Sequence, residues 1–230
     1  TEHAETILTS ADAMALIPQL PHLYCEPFAD SSQLPTHLVC REARRAGLTV
    51  ALSGDGGDEL FGGYNRYFWG PRVWNRLAWM PGPLRRNLGS AISSIPPSVW
   101  DALGGRLPVA QLGHKTHKLA ARLKHVSSSD ELYRSLVCEW RDPAALLQAD
   151  LFREGIVATA IDQSLPACIS ADPVARMMAW DALGYLPDDI LVKVDRAAMA
   201  VGLETRAPFL DHRVAAVAWR MPMDTKIRSG

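Results

Sequence analysis

Ser53-Gly54-Asp55-Gly56-Gly57-Asp58-Glu59-Leu60-Phe61-Gly62-Gly63 is the stretch on which the reading of this chain turns. It follows Leu48-Thr49-Val50-Ala51-Leu52, an apolar run that predicts a buried parallel strand over 48–53. Glycine at 54, 56 and 57 permits positive φ and a close approach of ligand to backbone. Three carboxylates, Asp55, Asp58 and Glu59, follow where the strand ends, the usual place of a ligand crevice in an open α/β sheet. Glycine N–H groups suit phosphates, and carboxylates suit the Mg²⁺ that travels with phosphates. The loop therefore reads as a metal-nucleotide site with a concave wall containing Asp55 and Asp58. It is not a Walker A loop, which needs Gly-Lys-Ser/Thr, nor an EF-hand, whose spacing fails here. A solvated acidic turn is the plain alternative, with Asp58 as a helix N-cap.

Working outward, Ser31 or Ser32 can cap a helix over 33–46. That helix places Leu34, Leu38, Val39, Ala43 and Ala46 on one face, and Gly47 stops it. Helix, glycine, strand, glycine-acidic loop and helix make half of a doubly wound nucleotide-binding unit. Residues 64–170 carry five of the seven tryptophans (69, 74, 79, 100 and 140) and frequent prolines, and read as mostly helical. Trp69, Trp74 and Trp79 read as core anchors around breaks at Gly70-Pro71 and Pro81-Gly82-Pro83. Asp172-Pro173 starts a helix, and Pro187-Asp188-Asp189 starts another that carries Lys193 and Arg196 and ends at Gly202. Residues 203–206 read as extended, with Glu204 and Arg206 paired, and Asp211 caps a last helix.

The 230 residues suffice for one large or two small domains, and 48% hydrophobic with 21% charged is ordinary for a globular protein. A net charge of -1 offers no footprint for nucleic acid. No apolar run reaches the length of a membrane span and no signal peptide opens the chain, so a cytoplasmic protein is expected. Cys25, Cys40, Cys138 and Cys168 are scattered and read as reduced, mostly buried thiols. Thr1 as a nucleophile lacks the buried strand it needs. His114 and His117 lie in a basic run without a carboxylate and read as a solvated helix face.

Residues 53–64 resemble the second signature of the glutamine-hydrolysing asparagine synthetases. Tyr185-Leu-Pro-Asp-Asp-Ile-Leu-Val-Lys-Val-Asp-Arg-Ala-Ala-Met199, with Gly202-Leu-Glu-Thr-Arg-Ala-Pro-Phe-Leu-Asp211, resembles the C-terminal signature. Pro27-Phe-Ala-Asp-Ser-Ser32 is similar to the family's substrate-side loop. The resemblance implies an α/β ATP-pyrophosphatase-like parallel sheet, incomplete here. Residues 1–63 would form part of the nucleotide-binding core, 64–170 a helical portion, and 171–230 helices that return to the site. It implies ATP and Mg²⁺ as cofactors, and adenylation of the aspartate β-carboxylate followed by attack of ammonia from an N-terminal glutaminase domain. A homodimer is among the expectations.

Carried over by position, Ser53, Gly54, Gly56 and Gly57 would bind nucleotide and Asp58 the metal. Asp55, where some members carry Glu, would handle the nucleophile or its proton. Lys193, with Arg196 beside it, would meet the charge that builds on the α-phosphate. The plain alternative for Lys193 is an ion pair with Asp189. The 52 residues before Ser53 contain no Ser-Gly-Gly-x-Asp-Ser loop and leave no room for a glutaminase. The chain thus reads as a fragment cut at both ends and inactive alone. Relatives that amidate sugar acids or close lactam rings keep another acid open. An inactive helical interaction module is the reading from a different class.

Overall fold

The computed structural model describes residues 5, 7, 9–104, 111–138 and 160–227. The expectations for Thr1 and Trp140 lie outside them. The chain divides into two units, residues 1–63 with 178–230, and residues 64–177.

The first unit is built around a strand pair. Helix α1 (Ser10–Leu16) begins at a capping box in which Thr9 and Asp12 satisfy each other's backbone amides. Helix α2 (Gln33–Arg45) ends in a left-handed Gly47, φ +89°, with Leu48 N–H donating to the Ala43 carbonyl and Gly47 N–H to that of Arg44. These are the two bonds of a Schellman motif, and only glycine takes this φ without strain. The turn launches β1 (Val50–Leu52). Late in the chain helix α10 (Val192–Met199) ends at a second left-handed glycine, Gly202, φ +67°, and launches β2 (Glu204–Arg206). The two strands pair in parallel, Val50 with Glu204, Ala51 with Thr205 and Leu52 with Arg206. Ser53 N–H continues the ladder to the Arg206 carbonyl at 2.9 Å.

One face of this pair packs on the helices: Cys40 of α2, Ala198 of α10 and Leu203 are buried together, with Ala43, Ala51 and Val201 around them. Burying a leucine such as Leu203 contributes about 2 kcal/mol. The other face is open. Leu52 is 75% exposed and Val50 39%, so the expectation of a strand buried on both faces is corrected. Alternate residues of a strand point to opposite faces, and within this unit only the Ala51 side meets helices.

Short helix α3 (Gly57–Phe61) follows β1, and α11 (His212–Arg220) starts at Asp211, whose carboxylate accepts from Arg213 N–H at 2.8 Å, as expected of a cap. Pro187 does not start a helix, contrary to expectation. It lies inside an unusually long π-helical run, Asp181–Leu191, that feeds directly into α10. The wider turn moves the carbonyl that a proline ring would strike in an α-helix, so Pro187 is accommodated.

The second unit is helical: α4 (Asn65–Ala78), α5 (Gly82–Ser94), α6 (Pro97–Leu103), α7 (Leu112–His125) and α8 (Ser129–Val137). Helices α5 and α7 are in close contact at Gly89, where a Cβ would stand 2.6 Å from the Ala120 carbonyl oxygen. Arg176 ties the C-terminal part of this unit to α8 through Asp130 at 2.8 Å. Helix α9 (Pro173–Trp180) starts as expected, Asp172 accepting from Val174 N–H at 2.7 Å.

Several expectations fail here. Pro71 lies within α4 and breaks nothing, and Trp79 is 73% exposed, so it anchors no core. His117 is not simply solvated, since its ring Nε2 lies 2.7 Å from the Ile95 carbonyl oxygen. Cys25, Cys138 and Cys168 are exposed and Cys40 is buried, against the expectation of mostly buried thiols. Among the described residues no helix is long and apolar enough to cross a membrane.

Candidate functional site

The chain leaves β1 into a tight turn, Gly57 N–H donating to the Gly54 carbonyl at 3.1 Å. Gly56 is left-handed at φ +88°, and a Cβ there would meet Leu210 at 2.8 Å. A Cβ on Gly57 would press on the Phe209 ring at 3.3 Å. Gly56 is required by its left-handed backbone, and at both glycines a side chain would crowd residues 209–210, on the segment after β2. Gly54 differs: a Cβ there would meet nothing within 4 Å, so open space adjoins its backbone.

That end of the strand pair opens into a cavity of about 390 Å³. It runs along the Ala51–Thr205 face of the pair beside the core cluster, with Ser53 and Asp55 at the end of β1, Thr36 and Cys40 from α2, and Val194 from α10 in its walls. The volume lies within the range of small-molecule sites, and mostly apolar walls with few polar groups are their usual character. Ser53 Oγ is buried and has no hydrogen-bond partner, a state that costs stability unless a ligand relieves it.

Asp58 is placed differently from Asp55. It sits in the first turn of α3 and is not among the residues lining the cavity. Gly56 occupies the N-cap position, which corrects the alternative reading of Asp58 as a cap. The Asp58 carboxylate packs against Gly63, where any side chain would collide with it. Among the described residues no three metal-ligating side chains converge. Mg²⁺ bound with a nucleotide needs only one or two carboxylates, the phosphates and water completing its shell, a donor set to which a single carboxylate such as Asp58 is chemically suited.

Lys193 is engaged elsewhere. Its ammonium lies 2.6 Å from Asp30 Oδ2, not in the i, i+4 pair with Asp189 that spacing alone suggests, and its side chain is only 9% exposed. Asp30 also accepts from Ser32 N–H at 2.8 Å and Ser32 Oγ at 2.6 Å. Ser32 consequently gives no side-chain cap to α2, and the 27–32 loop closes on Asp30 instead. Burial opposes ionisation of Asp30, but the hydrogen bonds from Lys193 and Ser32 outweigh it and hold the carboxyl down at about 2. Asp189 is pushed the other way, above the usual carboxylate range, by burial and then by the charge of Asp30, which Lys193 only partly offsets. Its Oδ1 is buried without a partner. Tyr24, stacked on Phe28 with ring centroids 5.0 Å apart, completes the cluster, its hydroxyl pushed up to about 12 by burial and the Asp30 charge. Arg196 is half exposed, paired with Asp195 at 3.1 Å and facing Cys25 Sγ at 4.0 Å.

Sequence reasoning named Lys193, with Asp189 as its plain alternative partner and Asp30 only as part of the 27–32 loop, and it did not name Tyr24. The Asp30-x-Ser32 spacing, which suits an Asx turn, was the signal available for Asp30. Nothing local announces that Asp30 meets a lysine 163 residues away.

The family model described as asparagine synthase matches residues 1–230. A putative glutamine-hydrolysing asparagine synthetase of Mycobacterium tuberculosis H37Rv is 32% identical over 225 residues, covering 98% of this chain and 32% of that protein. Asparagine synthetase [glutamine-hydrolyzing] 1 of Bacillus subtilis is 27% identical over 230 residues, covering 100% and 33%. A second putative asparagine synthetase of Methanocaldococcus jannaschii is 31% identical over 203 residues, covering 86% and 35%. The chain thus spans about a third of the length of these relatives. No solved structure matches.

Proposed function

The chain belongs to the asparagine synthase family, and from that premise we propose that it supplies part of the nucleotide site of an ATP-dependent carbon–nitrogen ligase. The substrate is the β-carboxylate of aspartate, activated as an acyl-adenylate and then amidated by ammonia that a glutaminase domain outside these residues releases. The observation that carries this reading is the cavity at the end of β1, with unpartnered Ser53 Oγ in its wall and free space beside Gly54.

In this reading the Ser53 hydroxyl and the amides of residues 54–57 hold phosphate oxygens, the open side of Gly54 admitting them. Asp55, in the wall of the same cavity, takes the proton that the attacking ammonia must lose. Asp58 would hold Mg²⁺, which when bound offsets charge on the phosphates. Lys193 meets the α-phosphate only by exchanging its Asp30 partner for a phosphate oxygen; otherwise it serves by fixing the 27–32 loop against α10, where Arg196 lies one turn on. Among the described residues β1 pairs on one edge only, with β2, so a larger parallel sheet of the ATP-pyrophosphatase type would grow from its other edge.

Aspartate-dependent exchange of label between pyrophosphate and ATP, measured on the intact protein, tests the proposal. Wild type should exchange, and Ser53→Ala should weaken ATP binding about tenfold, the worth of a hydrogen bond to a charged group. Its fold should be unharmed, because the lost hydroxyl has no protein partner. Exchange with a different carboxylic acid and none with aspartate would keep the nucleotide site and reject the substrate.

A further inference from the structure

The helical unit contains a second cavity, of about 80 Å³, lined by residues between Trp69 and Leu132. One water needs roughly 10–15 Å³, so the space exceeds what a single water fills. Trp69, Trp74 and Leu77 of α4 form one wall, and Leu119 and Leu123 of α7 with Leu132 of α8 form the others. Trp69 and Leu119 are partly exposed and give the cavity a rim that reaches solvent.

Into this apolar space projects Arg85 of α5, 8% exposed. Its Nε and Nη1 are buried and have no hydrogen-bond partner. The guanidinium carbon stands 5.2 Å from the centre of the Trp74 ring, a cation–π contact that answers the face of the cation but not its N–H edge. Arg122 also lines the cavity, and no carboxylate does among the described residues. Arg85 lies near the N-terminal end of α5, where the helix dipole disfavours a cation. Burial, the unfilled donors and the dipole all act against this charge, and an anion in the cavity relieves all three.

We propose that this cavity is a binding site for a small monocarboxylate with a short apolar body. The carboxylate accepts charge-assisted hydrogen bonds from the unfilled donors of the Arg85 guanidinium. The apolar body lies among Trp74, Leu123 and Leu132. The volume excludes a nucleotide or any long chain.

The test uses butyrate as probe on the intact protein, with 1-butanol as its uncharged counterpart, read by tryptophan fluorescence and thermal melting. Butyrate should saturate the fluorescence change and raise the melting temperature, as a ligand of the native state does. Arg85→Met, which keeps the volume and removes the charge, should weaken butyrate binding roughly tenfold to a hundredfold. That variant should answer 1-butanol as wild type does and melt no lower than wild type, since it removes an unpaired buried charge. The proposal is overturned by a butyrate response that does not saturate, or by equal responses to butyrate and 1-butanol. Undiminished butyrate binding in Arg85→Met overturns it as well. A marked drop in the melting temperature of that variant does so too, because it would mean that Arg85 already has a partner in the protein.

Discussion

Two regions of the first unit handle charge in opposite ways. Around Lys193 the central charges find partners, with Asp189 the exception: Asp30 holds the ammonium at 2.6 Å and takes two more hydrogen bonds from Ser32, while Asp189 beside it keeps Oδ1 buried and unpartnered. On the 53–58 loop the polar groups are left over. Ser53 Oγ is buried with no partner, Gly54 faces open space, and Asp55 stands in the wall of a cavity. A region whose groups are mutually satisfied builds stability and fixes loops. A region held short of satisfaction by its own glycines is organised for something that arrives from outside.

The contrast breaks most sharply at Lys193. Lys193→Met should leave Asp30 half-buried and unpaired, and destabilise the protein by about 3 kcal/mol in urea unfolding. Little change would mean that the pair is ornamental and that the 27–32 loop is held by Ser32 alone.

Acid should dissolve the same cluster. Asp30 has a folded value of about 2, below its unfolded value, so the folded state binds fewer protons between the two. Its stabilisation is complete above the unfolded value near 4 and is lost as pH falls toward 2. Asp189 has the reverse sign. Its folded value is raised, so stability declines as pH rises through that value and the carboxyl is forced to ionise beside Asp30. Asp189→Asn should therefore stabilise the protein at neutral pH by roughly 0.5–2 kcal/mol, the range usual for relieving an unfavourable charge. That gain should shrink in acid, where wild-type Asp189 is already protonated. Denaturant melts of both proteins from pH 3 to pH 7 give the comparison. A gain independent of pH would show that the charge of Asp189 is not its cause.

What the sequence made legible follows from how local each signal is. Helix α2 with Gly47, the cap Asp172 and the cap Asp211 are written in a few adjacent residues, and they stand where expected. Strand β1 is also local, but whether its faces are covered is not. Leu48, Val50 and Leu52 have the composition of a buried strand and are exposed, because coverage depends on what packs there. The pairing of β1 with residues 204–206 and the meeting of Asp30 with Lys193 join segments over 150 residues apart, and no short pattern announces them. Pro187 misled for a different reason. A proline starts an α-helix well, but the π-helical run from Asp181 to Leu191 admits it in the interior.

The central claim is that the glycine-acidic loop serves a nucleotide, and Asp58 separates it from the plain structural alternative. Asp58 lies in the first turn of α3, where its charge favours the helix dipole by about 0.3–1 kcal/mol. Asp58→Asn should cost no more stability than that, since asparagine keeps the shape beside Gly63. The measurement is aspartate-dependent ATP–pyrophosphate exchange by the intact protein, with unfolding recorded in parallel. Loss of exchange in a well-folded Asp58→Asn variant is the result predicted here, because a neutral amide is a poor ligand for Mg²⁺. Wild-type exchange rates in that same folded variant would contradict the account.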